Sequence, residues 1–75
     1  MNHVPKLGEF VYFSEKIGEP PAALESVGYV VYRSDRCVEI VSVGFPKESP
    51  IYFIRSIYNI EPVEPEKAMI LKLEQ

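Results

Sequence analysis

Residues 49–65 read SPIYFIRSIYNIEPVEP (Ser49 to Pro65), and the way this stretch divides decides the fold. From Ile51 to Ser56 it alternates with period two, so Ile51 and Phe53 share one face of a strand and Tyr52 and Ile54 the other. The alternation breaks at Ile57. Ile57-Tyr58-Asn59-Ile60 fits one turn of 3₁₀ helix, and Glu61-Pro62-Val63 fits a short closing strand whose proline suits an edge position. A strand, a tight turn and a last strand in immediate succession are the end of a small, mainly β domain.

Moving toward the N-terminus, Gly44-Phe45-Pro46-Lys47-Glu48-Ser49-Pro50 is a loop set by its glycine and prolines. Before it, Val27 to Arg33 (VGYVVYR) and Cys37 to Val43 (CVEIVSV) read as two strands. The turn-forming triplet Ser34-Asp35-Arg36 between them makes the pair a hairpin. Lys6 to Phe13 (KLGEFVYF) reads as the first strand. SEKIGEPPAALES (Ser14 to Ser26) follows as a long irregular loop, since Gly18, Pro20 and Pro21 exclude a regular strand, with room for a helical turn at Ala22 to Ser26. Beyond Pro65 the segment to Gln75 has two readings. As a helix, Pro65 and Glu66 suit its first turn and Ala68 and Leu71 share a face. As a strand, Met69, Leu71 and Leu73 alternate with Ile70 and Lys72, and the period-two match weighs slightly toward strand. On either reading four large apolar side chains need cover.

This arrangement resembles an SH3-like small barrel over residues 6–63, with 64–75 as a C-terminal extension of the same single domain. Leu7-Gly8-Glu9-Phe10-Val11 is similar to the x-G-[DE]-x-V opening of such barrels, Gly28-Tyr29-Val30-Val31 to their G-x-V second strand, and Ile60-Glu61-Pro62-Val63 to their closing [IL]-E-P-V. The resemblance implies a five-stranded SH3-like small barrel with a 3₁₀ turn before its last strand. It also implies the company of accessory subunits of electron-transfer complexes and of chromatin-reader or translation-factor modules. The proline-peptide ligands of SH3 domains are not implied: the chain has no tryptophan and reads Phe10-Val11-Tyr12-Phe13 where an ALYDY-type stretch belongs.

Composition narrows the function classes. A chain of 75 residues makes one domain, and a domain of that size buries only about 60% of its unfolded surface, so a partner would add useful stability. The net charge of −3 argues against a general phosphate-neutralising surface. Cys37 is the single cysteine, which excludes an internal disulfide and a thiolate zinc site, fits a reducing cytoplasm, and suits a small buried hydrophobe. His3, the single histidine, lacks ligands at metal spacing and reads as a solvated terminal residue. No apolar run approaches a membrane span of about 18 residues. No catalytic motif or phosphate cradle is present, so neither enzyme activity nor a cofactor or metal is expected. Glu61, Glu64 and Glu66 form a local acidic cluster that could face a basic partner.

The aromatic residues carry the functional expectation. With Val11, Phe13, Ile51 and Phe53 inside, the rings of Phe10, Tyr12 and Tyr52 and the side chain of Ile54 fall outside. Exposed rings with nearby arginines mark binding surfaces. The expected partner-binding set is Tyr12, Tyr32, Arg33, Arg36, Tyr52, Ile54, Arg55 and Tyr58, and the expected role a non-catalytic protein-interaction module that docks on another protein or on its own copy as an accessory subunit, inhibitor or regulator. Two alternatives stand beside it. The C-terminal tail could fold over the second face, or Arg33, Arg36 and Arg55 with neighbouring tyrosines could stack single-stranded nucleic acid, Arg55 otherwise pairing with Glu39 across the ladder.

Overall fold

The structure, a computed structural model, describes residues 4–16 and 25–74. Five strands, β1 (Phe10–Phe13), β2 (Ser26–Arg33), β3 (Cys37–Ser42), β4 (Tyr52–Ser56) and β5 (Glu61–Pro62), form one antiparallel sheet in the order β4-β3-β2-β1-β5. A 3₁₀ turn at Ile57–Asn59 joins β4 to β5, and a helix, α1 (Pro65–Glu74), ends the described chain. The mainly β class, the strand count and the 3₁₀ turn before the last strand match the sequence reading. The sheet is open: β4 and β5 are its two edges.

The β2–β3 hairpin is made by its turn chemistry. The Ser34 backbone N–H donates to the Cys37 carbonyl at 2.9 Å, and the Ser34 hydroxyl accepts from the Cys37 N–H at 3.2 Å, so one residue closes the turn with backbone and side chain together. The register then slips once. Val30 lies opposite Ile40 but Tyr32 lies opposite Glu39, which makes Val31 the extra residue of a β-bulge. Because of that slip Tyr32 points to the same face as Glu39.

One face of the sheet is the core, built from Val11, Phe13, Val30, Val38 and Ile40 with Ile60 from the segment before β5, and Phe53 and Ile57 packed against them. Gly28 makes the curl possible. A Cβ there would lie 2.5 Å from Ile40 Cγ2 and 2.5 Å from the Val41 carbonyl oxygen, inside the contact distance of both. At the opening, Arg55 spans what pairing leaves free: its Nε donates to the Ser14 carbonyl just past β1 at 2.8 Å, and its Nη1 donates to the Ile54 carbonyl at 2.7 Å.

Four expectations change. The first strand begins at Phe10 and not Lys6, because Gly8 takes a positive φ of 84° in the turn before it. The tail is a helix. Its first bond runs from the Ala68 N–H to the Glu64 carbonyl at 2.8 Å, with Glu66 in the first turn and Lys72 in the last, where each suits the helix dipole. Glu, Lys, Ala, Met and Leu are strong helix formers, and that preference overrides the period-two match. Cys37 is exposed, since strand parity turns Val38 inward and leaves Cys37 outward at the hairpin end. Arg55 lies opposite Val38, not Glu39, with its guanidinium 5.3 Å from the Phe53 ring centroid. His3 and most of the Ala22 to Ser26 turn lie outside the described residues.

Candidate interaction surface

The second face of the sheet is where the outward residues collect. The register sets them in rows across the strands: Phe10 opposite Tyr29, Tyr29 opposite Val41, and Val41 opposite Tyr52; one step along, Tyr32 opposite Glu39 and Glu39 opposite Ile54. Tyr32, Tyr52 and Ile54 are each more than half exposed. These three sequence-predicted residues therefore meet on one face, with the Glu39 carboxylate between Tyr32 and Ile54. Between them and β3 lies a shallow hollow of about 280 Å³ lined by Tyr32, Cys37, Val38 and Ile54 among others.

The remaining five of the predicted set sit elsewhere. Arg33 and Arg36 are exposed at the end of the β2–β3 hairpin beside Tyr32. Tyr58 is exposed on the 3₁₀ turn, whose cap is the Ser56 hydroxyl accepting from the Tyr58 N–H at 3.1 Å. Arg55 lies on the core side of β4, its Nε and Nη1 bonded to the Ser14 and Ile54 carbonyls. Tyr12, at the β1–β5 side, donates its hydroxyl proton to Glu64 Oε1 at 2.6 Å, and the Lys67 ammonium stands 5.0 Å from its ring centroid. This contact ties the start of α1 to the sheet. It also holds the Glu64 carboxyl below its ordinary pKa, chiefly through the Tyr12 hydrogen bond, with help from a backbone N–H and from Lys67.

The helix adds residues that the sequence reading left without a role. Pro65, Ala68, Met69 and Lys72 line a hollow of about 810 Å³ shared with Phe10, Tyr29 and Val63, so this side of α1 covers the β1–β2 end of the outer face. The tail thus folds over part of the second face. Met69, Ile70 and Leu73 nevertheless remain more than half exposed, Leu73 at 82%. At 100° per residue, Ile70 and Leu73 point away from the groove side, with Glu66 and Glu74 at either end of the same stripe, Glu74 also lining the hollow beside Tyr29 and Tyr52. The signal in the sequence was the apolar quartet Met69-Ile70-Leu71-Leu73, which no single helix face can bury.

Among the described residues no group of three or more His, Cys, Asp or Glu side chains gathers to hold a metal ion, and no helix is long and apolar enough to cross a membrane. Compared with protein-family models, with curated proteins and with solved structures, the chain shows no significant match to any.

Proposed function

We propose that this protein is a non-catalytic interaction module of SH3-like small-barrel type. It docks on a different protein through the outward stripe of α1 and the exposed end of the outer sheet face. Supporting the barrel reading are the strand order, in which the first strand joins the second to the last, and the 3₁₀ turn ahead of that last strand. The observation that carries the functional reading is the exposure of Ile70, Leu73, Tyr32, Tyr52 and Ile54 on a chain too short to waste apolar surface. Carboxylates border that surface: Glu66 and Glu74 end the helical stripe, and Glu39 separates Tyr32 from Ile54. Apolar anchors with an acidic rim fit a partner surface that is apolar at its centre and basic at its edge. A second copy fits less well, because antiparallel pairing of two α1 stripes about Ile70 sets Glu66 against Glu74 of the other chain. The role is that of an accessory subunit, inhibitor or regulator, in the reducing cytoplasm that a single free thiol suits.

The test is capture by the purified protein from its host, compared with Ile70→Glu/Leu73→Glu and Tyr52→Ser/Ile54→Ser variants. A discrete basic-rimmed partner, retained by the wild type and lost by the variants at unchanged denaturation midpoint, supports the proposal. A monodisperse monomer that recovers nothing, variants that recover the same protein, or a self-dimer would overturn it. A nucleic-acid reading keeps Tyr32, Arg33 and Arg36, which are exposed together at one hairpin end. It requires a salt-sensitive complex with single-stranded RNA or DNA that an Arg33→Ala/Arg36→Ala variant loses.

A further inference from the structure

The small hollow at the hairpin end of the outer face is lined by Tyr32, Ser34, Cys37, Val38, Glu39 and Ile54. Glu39 supplies its only full charge at neutral pH, and among the described residues no lysine or arginine lines it. Glu39 stands half-buried on an interior strand, and no hydrogen bond or ion pair engages its carboxylate among the described residues. The cations nearby are placed elsewhere. Arg55 lies opposite Val38 and donates to the Ser14 and Ile54 carbonyls, Arg33 also lies opposite the inward-facing Val38, and Arg36 belongs to the turn. A half-buried carboxylate on an interior strand with no counter-charge is unfavourable in the free chain, and a cation from outside relieves it.

The β-bulge supplies the walls for such a cation. In an unbroken ladder the residue opposite Glu39 would be Val31; the extra residue puts Tyr32 there instead and turns its ring outward. Tyr32 on one side of Glu39 and Ile54 on the other stand two strand spacings apart, about 10 Å, with the carboxylate between them. At about 280 Å³ the hollow is smaller than ligand pockets usually are, and it suits one side chain. We propose that it receives a single arginine side chain of the partner protein, an inference that rests on docking to a basic-edged partner and names the residue which that edge contributes. The guanidinium lies on the Tyr32 ring with its planar fork directed at the Glu39 carboxylate, and the methylene stem runs against Ile54. A lysine ammonium offers neither the fork nor a flat face to stack.

Titration of the isotopically labelled full chain with butylguanidinium, butylammonium and the neutral isostere butylurea, at constant ionic strength and followed by amide NMR, tests this directly. Butylguanidinium is expected to move the amides of Tyr32, Glu39 and Ile54 at about 10–100 mM, and to bind about five- to tenfold more tightly than butylurea, the scale of one exposed charge pair joined to a cation–π contact. Glu39→Gln is expected to bring the two ligands level, and Tyr32→Leu to weaken butylguanidinium severalfold. The proposal is overturned if those amides stay unmoved, if butylurea or butylammonium binds wild type as tightly, or if Glu39→Gln keeps the preference. A thymidine oligonucleotide that moves the Tyr32 amide more in Glu39→Gln than in wild type would give the hollow to nucleic acid and overturn it as well. Partner capture separates the two readings: a partner lost by Ile70→Glu/Leu73→Glu but retained by Glu39→Gln sinks this inference alone, whereas a chain that captures nothing sinks the docking role itself.

Discussion

One guanidinium ties β4 to the end of β1 and also bonds within β4's own edge. The Arg55 Nε–H reaches the Ser14 carbonyl and the Nη1–H the Ile54 carbonyl, and the planar group lies near the Phe53 ring. The Ile54 carbonyl faces outward from the edge, because Ile51 and Ile57 are the residues bonded toward the β3 side and alternation leaves Tyr52, Ile54 and Ser56 pointing away. Arg55 therefore both ties the opening and caps an edge acceptor that another strand could otherwise use. Arg55→Ala is expected to lower stability by about 1–3 kcal/mol in urea denaturation, with Arg55→Lys recovering only part, since an ammonium lacks the fork. Glu64 gives a second prediction at this scale. Its carboxyl, held below the ordinary value mainly by the Tyr12 hydroxyl, has a lower pKa folded than unfolded. Its contribution to docking α1 is thus complete above the ordinary carboxylate range and lost as pH falls through the folded value. In a carboxyl NMR titration the Glu64 midpoint should rise in Tyr12→Phe.

At the scale of elements, α1 presents two apolar sides with different fates. Its inward side borders the hollow that Phe10 and Tyr29 also line, while Ile70 and Leu73 face outward. Ile70→Glu and Leu73→Glu should therefore leave the unfolding free energy of the free protein, measured in urea, within about 0.5 kcal/mol of wild type, the usual range for surface changes, and helical circular dichroism unchanged. A loss beyond 1.5 kcal/mol would mean that the stripe is packed within the chain. The five strands were legible in the sequence because each combines alternation with turn residues at its ends, as in Ser34-Asp35-Arg36. The helix was harder to read: Met69 to Leu73 satisfies period two and a helix alike, and only pairing could decide. Of the site, Tyr52 and Ile54 were legible from parity alone, whereas parity would set Tyr32 on the face of Val30 and only the bulge at Val31 turns it outward. Arg55 and Tyr12 were expected in the partner-binding set, but both are half-buried and engaged within the chain, by the Ser14 carbonyl and Glu64, which lie 41 and 52 residues away in sequence. No local pattern encodes such distances.

At the scale of the whole molecule, the domain has one small core on one face of an open, strongly curled sheet, and its other face is shared between a groove and exposed rings. Along β2 a side chain has no room at Gly28, and the bulge at Val31 follows three residues further along the same strand. That bulge carries a last consequence, for how the chain tolerates changes in its length. Every pair on one side of Val31 sums in register to one value and every pair on the other side to a value one greater: Val30 with Ile40, then Tyr32 with Glu39. Removing Val31 alone would splice the two ladders into an unbroken one without moving a single partner, and Tyr32 would still look outward. Removing a residue of β3 away from the bulge would instead turn the side chains beyond it inside out. A single-residue deletion scan of residues 27–42, read by soluble yield and thermal unfolding, should show tolerance centred on the bulge, at Val30 and Val31, whose deletions give the same chain, and at Tyr32.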